Sequence, residues 1–86
     1  MDTRLAGNLQ QRISIVFGKK LRDRRKALGM SQEEMGRMLG ISKQAVSCYE
    51  RGIRRPTLAV AWVFSTKLDV PLDFFCTELK TSATMK

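Results

Sequence analysis

Four side chains on one face of a short predicted helix are the most unusual chemical feature of this sequence. In the segment ISKQAVSCYE, a helix that opens at Ser42 places Lys43, Gln44, Ser47 and Cys48 on one side. These groups can donate and accept hydrogen bonds, yet only one of them is charged. Because the outer face of a solvated helix is usually rich in charged residues, this face is expected to meet a partner that offers hydrogen-bonding groups of its own.

Neither catalysis nor metal binding is indicated by the residue types. The chain has no histidine, which is the commonest general acid–base group. Its two cysteines, Cys48 and Cys76, lie far apart, and without histidine one subunit cannot assemble a four-ligand Cys/His zinc site. We therefore expect two reduced thiols, no cofactor and no enzymatic activity.

The charge of the chain points to an anionic partner. Sixteen Lys and Arg residues face eight Asp and Glu residues, which gives a net charge of +8. The excess lies in residues 1–55, whereas residues 56–86 carry three charges of each sign. Such a balance favours nucleic acid or an acidic membrane surface. The membrane surface is disfavoured because the basic residues lack an opposing apolar stripe left free of the core.

The length of 86 residues suits one domain with a modest core. No apolar run approaches the ~20 residues that a membrane span needs. The first residues, MDTRLAGNLQQR, also lack the basic-then-apolar order of a signal peptide. These features predict a cytoplasmic location.

The elements that position the polar face begin with a helix over residues 14–28, where apolar residues recur at helical spacing. Gly29 then offers a stop in the left-handed conformation. Residues 1–13 have weak periodicity, which predicts an N-terminal arm or a frayed helical extension.

Two short helices on either side of Gly40 form a predicted helix-turn-helix. Ser31 and Glu34 have the spacing of a capping box, which predicts that the second helix begins just after Ser31. Gly36 supplies a small residue where the two helices cross, and Gly40 permits the sharp turn. The third helix, over residues 42–51, carries the polar face outward and a core stripe of Ile41, Ala45, Val46 and Tyr49 inward.

Two more helices are predicted after the break at Pro56. Thr57 can cap a fourth helix over residues 58–68. Pro71 suits the first turn of a fifth helix that runs through Leu79, and residues 80–86 form a flexible tail. The inward face of the fourth helix is predicted to comprise Leu58, Ala61, Phe64, Ser65 and Leu68.

The run GMSQEEMGRMLGISKQAVSCYERG resembles the helix-turn-helix of the phage-repressor and Cro superfamily, also called Xre-like regulators. FGKKLRDRRKALG resembles the first helix of that family, and RRPTLAVAWVFSTKLDVPLDFF resembles its fourth and fifth helices. The resemblance covers about residues 16–76. It implies an all-α, five-helix lambda-repressor-like DNA-binding domain over residues 14–79, in which helices 2 and 3 form the helix-turn-helix.

The resemblance also implies roles for individual residues on double-stranded DNA. The third helix would be the recognition helix in the major groove, with base contacts from Lys43, Gln44, Ser47 and Cys48. Phosphates would be contacted by Gln32, Ser42, Arg51, Arg54 and Arg55. Arg25 and Glu50 match a family pair that forms a salt bridge between helices one and three. The chemistry of the side chains agrees, since glutamine can bond adenine and lysine can bond guanine. For Cys48 the alternative is burial as a small apolar residue.

Apolar residues late in the chain exceed what a small core can hide. The residues expected to lie in a homodimer interface are Val60, Trp62, Val63, Phe74, Phe75 and Leu79. The alternative is that Trp62 covers the core. A twofold dimer would place two recognition helices about 34 Å apart and predicts a near-palindromic operator.

The sequence therefore indicates a bacterial or phage-encoded transcription regulator. It could be a repressor, or a restriction–modification controller able to repress and activate. Activation would require a patch that touches RNA polymerase, for which Glu33 and Glu34 are the candidates. The alternative function is an antitoxin-type or other protein-interaction module that uses the apolar surface of helices four and five.

Overall fold

The computed structural model describes residues 3–76 of the chain, and the side chains of residues 9–76, as an all-helical bundle. Within these residues there is no β-strand, and no helix is long and apolar enough to cross a membrane. The elements are α1 (Thr3–Ala27), α2 (Gln32–Leu39), α3 (Lys43–Glu50), α4 (Leu58–Leu68) and a 3₁₀ turn (Leu72–Cys76). The prediction of an all-α domain is thereby confirmed.

The first helix is longer than the sequence pattern indicates. It begins at Thr3, where the pattern predicts a start at residue 14. Over residues 9–13 of the added segment every side chain is exposed, including Leu9 at 50% and Ile13 at 36%, so burial imposes no apolar periodicity there. Residues such as Leu, Ala, Gln and Arg sustain a helix without such burial.

Local capping signals account for the bounds of the three shorter helices. Ser31 and Glu34 form the predicted capping box, with the Ser31 hydroxyl accepting from the Glu34 N–H at 3.1 Å. The hydroxyls of Ser42 and Thr57 cap α3 and α4 in the same way, each accepting an N–H at 3.0 Å. Gly40 takes the left-handed conformation, with φ of 77°, in the turn between α2 and α3.

The predicted fifth helix is wrong in type. Within the described residues, which end at Cys76, this segment is a 3₁₀ turn over Leu72–Cys76, opened by a hydrogen bond from the Phe74 N–H to the Pro71 carbonyl at 3.0 Å. Pro71 has no N–H, and Val70 before it has no side-chain group that could cap a helix. Leu79, the predicted end, lies outside the described residues.

The core surrounds Phe17 of α1. Its ring stacks on Phe75 with centroids 4.6 Å apart, and it lies 5.8 Å from the rings of both Tyr49 and Phe64. The 3₁₀ turn, α3 and α4 are thereby all packed on one side chain of α1. Leu58 is an exception to the predicted inward face of α4, because it is 75% exposed in the first turn of that helix.

Two glycines allow backbones to touch where helices meet. A Cβ atom on Gly36 would lie 2.6 Å from the Ile41 carbonyl oxygen, which is too close for any side chain. A Cβ atom on Gly18 would collide with the Tyr49 carbonyl oxygen at the end of α3. The packing of α3 therefore depends on two glycines, one near each of its ends, that allow close backbone contact.

Candidate nucleic-acid interface

One face of α3 is presented to solvent, while the opposite face anchors the helix. Ala45, Val46 and Tyr49 are buried, with Val46 fully inaccessible. On the other side Lys43 and Gln44 are exposed, and Ser47 and Cys48 are half-buried. The structure therefore brings these four polar residues together on one surface, which a flat or grooved partner can reach.

The N-terminus of α3 adds hydrogen-bond donors at the edge of this surface. The Ser42 hydroxyl accepts from the Ala45 N–H, so its own hydrogen can be donated outward. The first N–H groups of a helix have no acceptor within the helix, and together with the helix dipole they attract anions. Ser42 is exposed and is therefore placed to meet an anionic group beside the polar face.

A hydrogen-bonded network under the C-terminal end of α3 joins it to α1 and α2. Arg25 donates from Nε to Glu50 at 2.7 Å and from Nη2 at 3.1 Å, and from Nη1 to the Met30 carbonyl at 2.9 Å. The Glu50 side chain is 4% exposed. Its hydrogen bond raises the pKa of Arg25, against the opposing effect of burial. This bidentate pair fixes the position of α3 relative to α1.

Gln32, at the start of α2, belongs to the same network. Its Nε2 donates to Glu50 at 3.1 Å, which fixes the amide plane. One amide N–H is used in this bond, so the second N–H and the oxygen are left to meet a ligand. No pattern within the sequence reveals the Gln32–Glu50 contact, because the two residues lie on different helices.

Three arginines follow α3 and concentrate positive charge just beyond its C-terminal end. Arg51, Arg54 and Arg55 are all exposed. The Arg54 guanidinium lies over the Tyr49 ring, 5.6 Å from its centroid, which orients the group while its N–H edges stay accessible. A terminal nitrogen of Arg51 lies 4.0 Å from the Cys48 sulfur.

Cys48 and Cys76 are both free thiols in half-buried positions. Cys48 lies at the border between the polar and the anchoring faces of α3. No group of residues in the described part of the chain could hold a metal ion. The two acidic residues of α2 have partners close by: Glu33 pairs with Arg37 at 3.5 Å, and Glu34 accepts the Ser31 N–H at 2.8 Å. This hydrogen bond lowers the pKa of Glu34.

An apolar patch occupies the outer face of α4. Trp62 is 62% exposed and Val63 is 42% exposed, and together with Leu58, Ala59 and Leu72 they line a shallow depression. We call these five residues the α4 patch. Leu58, Ala59 and Leu72 are absent from the predicted interface. Leu58 and Trp62 are one helical turn apart and could have been paired from the sequence.

Three residues of the predicted interface lie elsewhere. Phe75 is 4% exposed in the core, stacked on Phe17, so its assignment to an interface is wrong. Val60 and Phe74 are half-buried against the core, which leaves them little outward surface. Leu79 lies outside the described residues.

A helix-turn-helix family model, HTH_3, matches residues 21–75 of the chain. Among curated proteins, an uncharacterized HTH-type transcriptional regulator of Rhizobium meliloti is 43% identical over 63 residues, which are 73% of this chain and 45% of that protein. The SPbeta prophage-derived uncharacterized HTH-type transcriptional regulator YonR of Bacillus subtilis is 37% identical over 59 residues, or 69% of this chain and 55% of YonR. The chain thus spans about half the length of these relatives.

Two solved structures with the same fold bear on function. The restriction–modification controller protein C.AhdI from Aeromonas hydrophila is 30% identical with a TM-score of 0.69, covering 77% of this chain and 96% of the controller. The P22 c2 repressor, solved in complex with a synthetic operator, is 32% identical with a TM-score of 0.62, covering 69% of this chain and 89% of the repressor.

Proposed function

Because the chain belongs to the HTH_3 helix-turn-helix family, we propose that it binds double-stranded DNA sequence-specifically and regulates transcription as a homodimer. The observation that carries the proposal is the division of polar groups around α3. Its outer face carries hydrogen-bonding side chains of which only Lys43 is charged, and three exposed arginines follow its C-terminal end. Base edges require directional hydrogen bonds, whereas phosphates require positive charge.

In this proposal α3 enters the major groove with its N-terminal end closest to the bases. Gln44 can bond the N6 and N7 atoms of adenine, and Lys43 can donate to O6 and N7 of guanine. Ser47 can bond several bases, and Cys48 offers a small apolar edge to a thymine methyl group. The exposure of Lys43 and Gln44 supports direct contact with bases. Ser47 and Cys48 are half-buried, so their side chains would extend less far into the groove.

The phosphate contacts are proposed on both sides of this face. Ser42 and Gln32 lie at the N-termini of α3 and α2, where backbone N–H groups favour an anion. Arg51, Arg54 and Arg55 would contact the backbone beyond the C-terminal end of α3. Contacts of this kind supply affinity for any sequence and are weakened by salt.

The α4 patch is the proposed dimer contact. It replaces the predicted set, keeping Trp62 and Val63 and adding Leu58, Ala59 and Leu72. A large exposed tryptophan surrounded by aliphatic side chains is typical of interaction sites. A twofold axis through this patch would place two copies of α3 on one side of the DNA and predicts a near-palindromic operator.

The test is selection of bound duplexes from a random pool, followed by measurement of affinity at several salt concentrations. We expect a sequence with inverted symmetry, and affinity that falls steeply as salt rises. If selection enriches no sequence and affinity does not depend on salt, the protein is not a DNA-binding regulator.

The similarity to a phage repressor and to a restriction–modification controller supports either repression or a dual role on the operator. The positions of Glu33 and Glu34 bear on activation. Both are exposed, but Glu34 accepts the Ser31 N–H of the capping box at 2.8 Å, whereas Glu33 makes only a 3.5 Å surface pair with Arg37, so Glu33 is the better candidate for a contact with RNA polymerase.

A second function, as an antitoxin-type or other protein-interaction module, is favoured only by the α4 patch. In that case the patch would bind another protein and contacts with DNA would be incidental. Sedimentation of the purified chain separates the two functions, because a homodimer occupies the patch without any other protein.

A further inference from the structure

Arg24, in the last turn of α1, connects that helix to the C-terminal end of α4. Its Nε and Nη2 donate to the carbonyl of Leu68, the last residue of α4, at 3.2 and 3.0 Å. The last carbonyls of a helix have no donor within the helix, and they carry the negative end of its dipole. A guanidinium that satisfies one of them therefore ties that helix end to α1 through two directional bonds.

The neighbouring residue on α1 holds the other functional helix. Arg25 grips the C-terminal end of α3 through Glu50. Two consecutive side chains of α1 thus set the positions of the helix that carries the proposed base-reading face and the helix that carries the α4 patch. The orientation of the proposed base-reading face relative to the α4 patch therefore depends on this pair of arginines.

The core alone fixes this geometry less firmly. Phe64 and Leu68 bury α4 against Phe17 and its neighbours, but apolar packing is not directional. A tilt of about 5° between α4 and the rest of each protomer, over half of a ~34 Å separation, would move each α3 by about 1.5 Å. The two movements together approach the ~3.4 Å rise of one base pair.

We propose that Arg24 is a positioning residue that sets the separation of the two operator half-sites. The proposal rests on the proposed function, since it requires a homodimer on DNA. Arg24 does not touch DNA in this account. It acts through the direction of α4, and therefore through the distance between the two copies of α3.

The test compares DNA duplexes that carry identical half-sites at the selected separation and at one base pair more or less. Arg24→Met removes the guanidinium and keeps the apolar stem, and Arg24→Lys keeps the charge without the fork of two N–H groups. Arg22→Met, an exposed arginine of the same helix, is the matched control. Circular dichroism and thermal melting establish that each variant is folded.

We expect wild type and Arg22→Met to prefer the selected separation. In Arg24→Met, the ratio of affinities for the selected and the altered separation should fall about tenfold, equivalent to ~1.4 kcal/mol. Its affinity for an isolated half-site should be unchanged. Arg24→Lys should lie between them and serves as the test if Arg24→Met does not fold. An unchanged spacing profile, or a loss of affinity that is equal at every separation, would overturn the proposal for Arg24. Absence of any spacing preference in the wild type would instead overturn the homodimer itself.

Discussion

Gln44 and Arg55 differ in what they offer to DNA, although both are exposed and both lie within or just after the helix-turn-helix. The planar amide of Gln44 offers N–H donors and a carbonyl acceptor side by side, so it can distinguish bases. In the proposed complex the guanidinium of Arg55 meets phosphates, which are the same at every position. The two residues therefore separate specificity from affinity.

We expect Gln44→Ala to relax the base preference at one position of each half-site by ~1–3 kcal/mol. Arg55→Ala should weaken binding to all sequences by a similar factor and reduce the slope of log affinity against log salt by about one per protomer. The measurement is titration of both variants against the selected operator and single-base variants of it. Equal effects of the two substitutions on every duplex would contradict the division of roles.

Arg24, Arg25 and Gln32 show how far individual contacts can be derived from sequence. The Arg25–Glu50 pair came from resemblance to a family, and the structure brings the two side chains together. The bonds from Arg24 to Leu68 and from Gln32 to Glu50 had no such guide. They join residues that are remote in sequence, and such contacts depend on the angles at which helices cross, which no local pattern encodes.

At the scale of elements, the capping box of α2 makes stability depend on acidity. The Ser31 N–H lowers the pKa of Glu34 below its ordinary value of 4.5. A carboxylate whose pKa is lower in the folded state stabilises that state above pH 4.5, and this contribution is lost as the pH falls further.

Glu34→Gln should therefore lower the melting temperature most near pH 7, and the gap from wild type should close as the pH falls below 4.5. Glutamine can still accept the Ser31 N–H, but it lacks the charge that strengthens this bond and complements the helix N-terminus. Thermal melts of both proteins across this pH range provide the measurement. A gap that stays constant into strong acid would contradict the prediction.

Gly36 tests how closely α2 approaches the turn before α3. On helix propensity alone, alanine would stabilise α2 by ~0.5–1 kcal/mol. However, its Cβ would lie 2.6 Å from the backbone oxygen of Ile41, which cannot rotate away. Overpacking of this kind costs ~1–3 kcal/mol, so we expect Gly36→Ala to lower stability. Denaturant unfolding measures the change, and a more stable variant would show that the turn adjusts freely.

The starts of helices could be predicted from the sequence wherever a side chain caps the N-terminus. Ser31, Ser42 and Thr57 each begin a helix through a bond to a residue three positions later, which is a local signal. The start of α1 and the 3₁₀ turn had no such signal. Residues 9–13 of the α1 extension are all exposed, so burial imposes no apolar periodicity on them, and the turn depends on where Phe75 reaches Phe17.

At the scale of the whole molecule, the sequence located the excess of apolar residues but not which of them face outward. Leu58 was assigned to the core but is 75% exposed, and Phe75 was assigned to the interface but is 4% exposed. Both lie near the ends of their elements, where the helical period alone does not show whether a neighbouring element continues far enough to cover a side chain.

The α4 patch yields a prediction for the assembly. Trp62→Ser should give a monomer at tens of micromolar and lower the affinity for the full operator more than the affinity for a half-site. The melting temperature of dilute protein should change little, because the side chain is 62% exposed. Lys67→Ser, on the same helix, is the control. Analytical ultracentrifugation is the measurement, and a persistent dimer would move the interface away from the patch.

The separation of the two faces of α3 has a consequence for divergence among related chains. Val46 and Tyr49, which anchor the helix, are buried on one face, whereas Lys43 and Gln44 are exposed on the other. Substitution of Lys43 and Gln44 should therefore change the free energy of unfolding little. Under the proposed function, one or two substitutions at these positions would therefore change the preferred operator while leaving the fold intact.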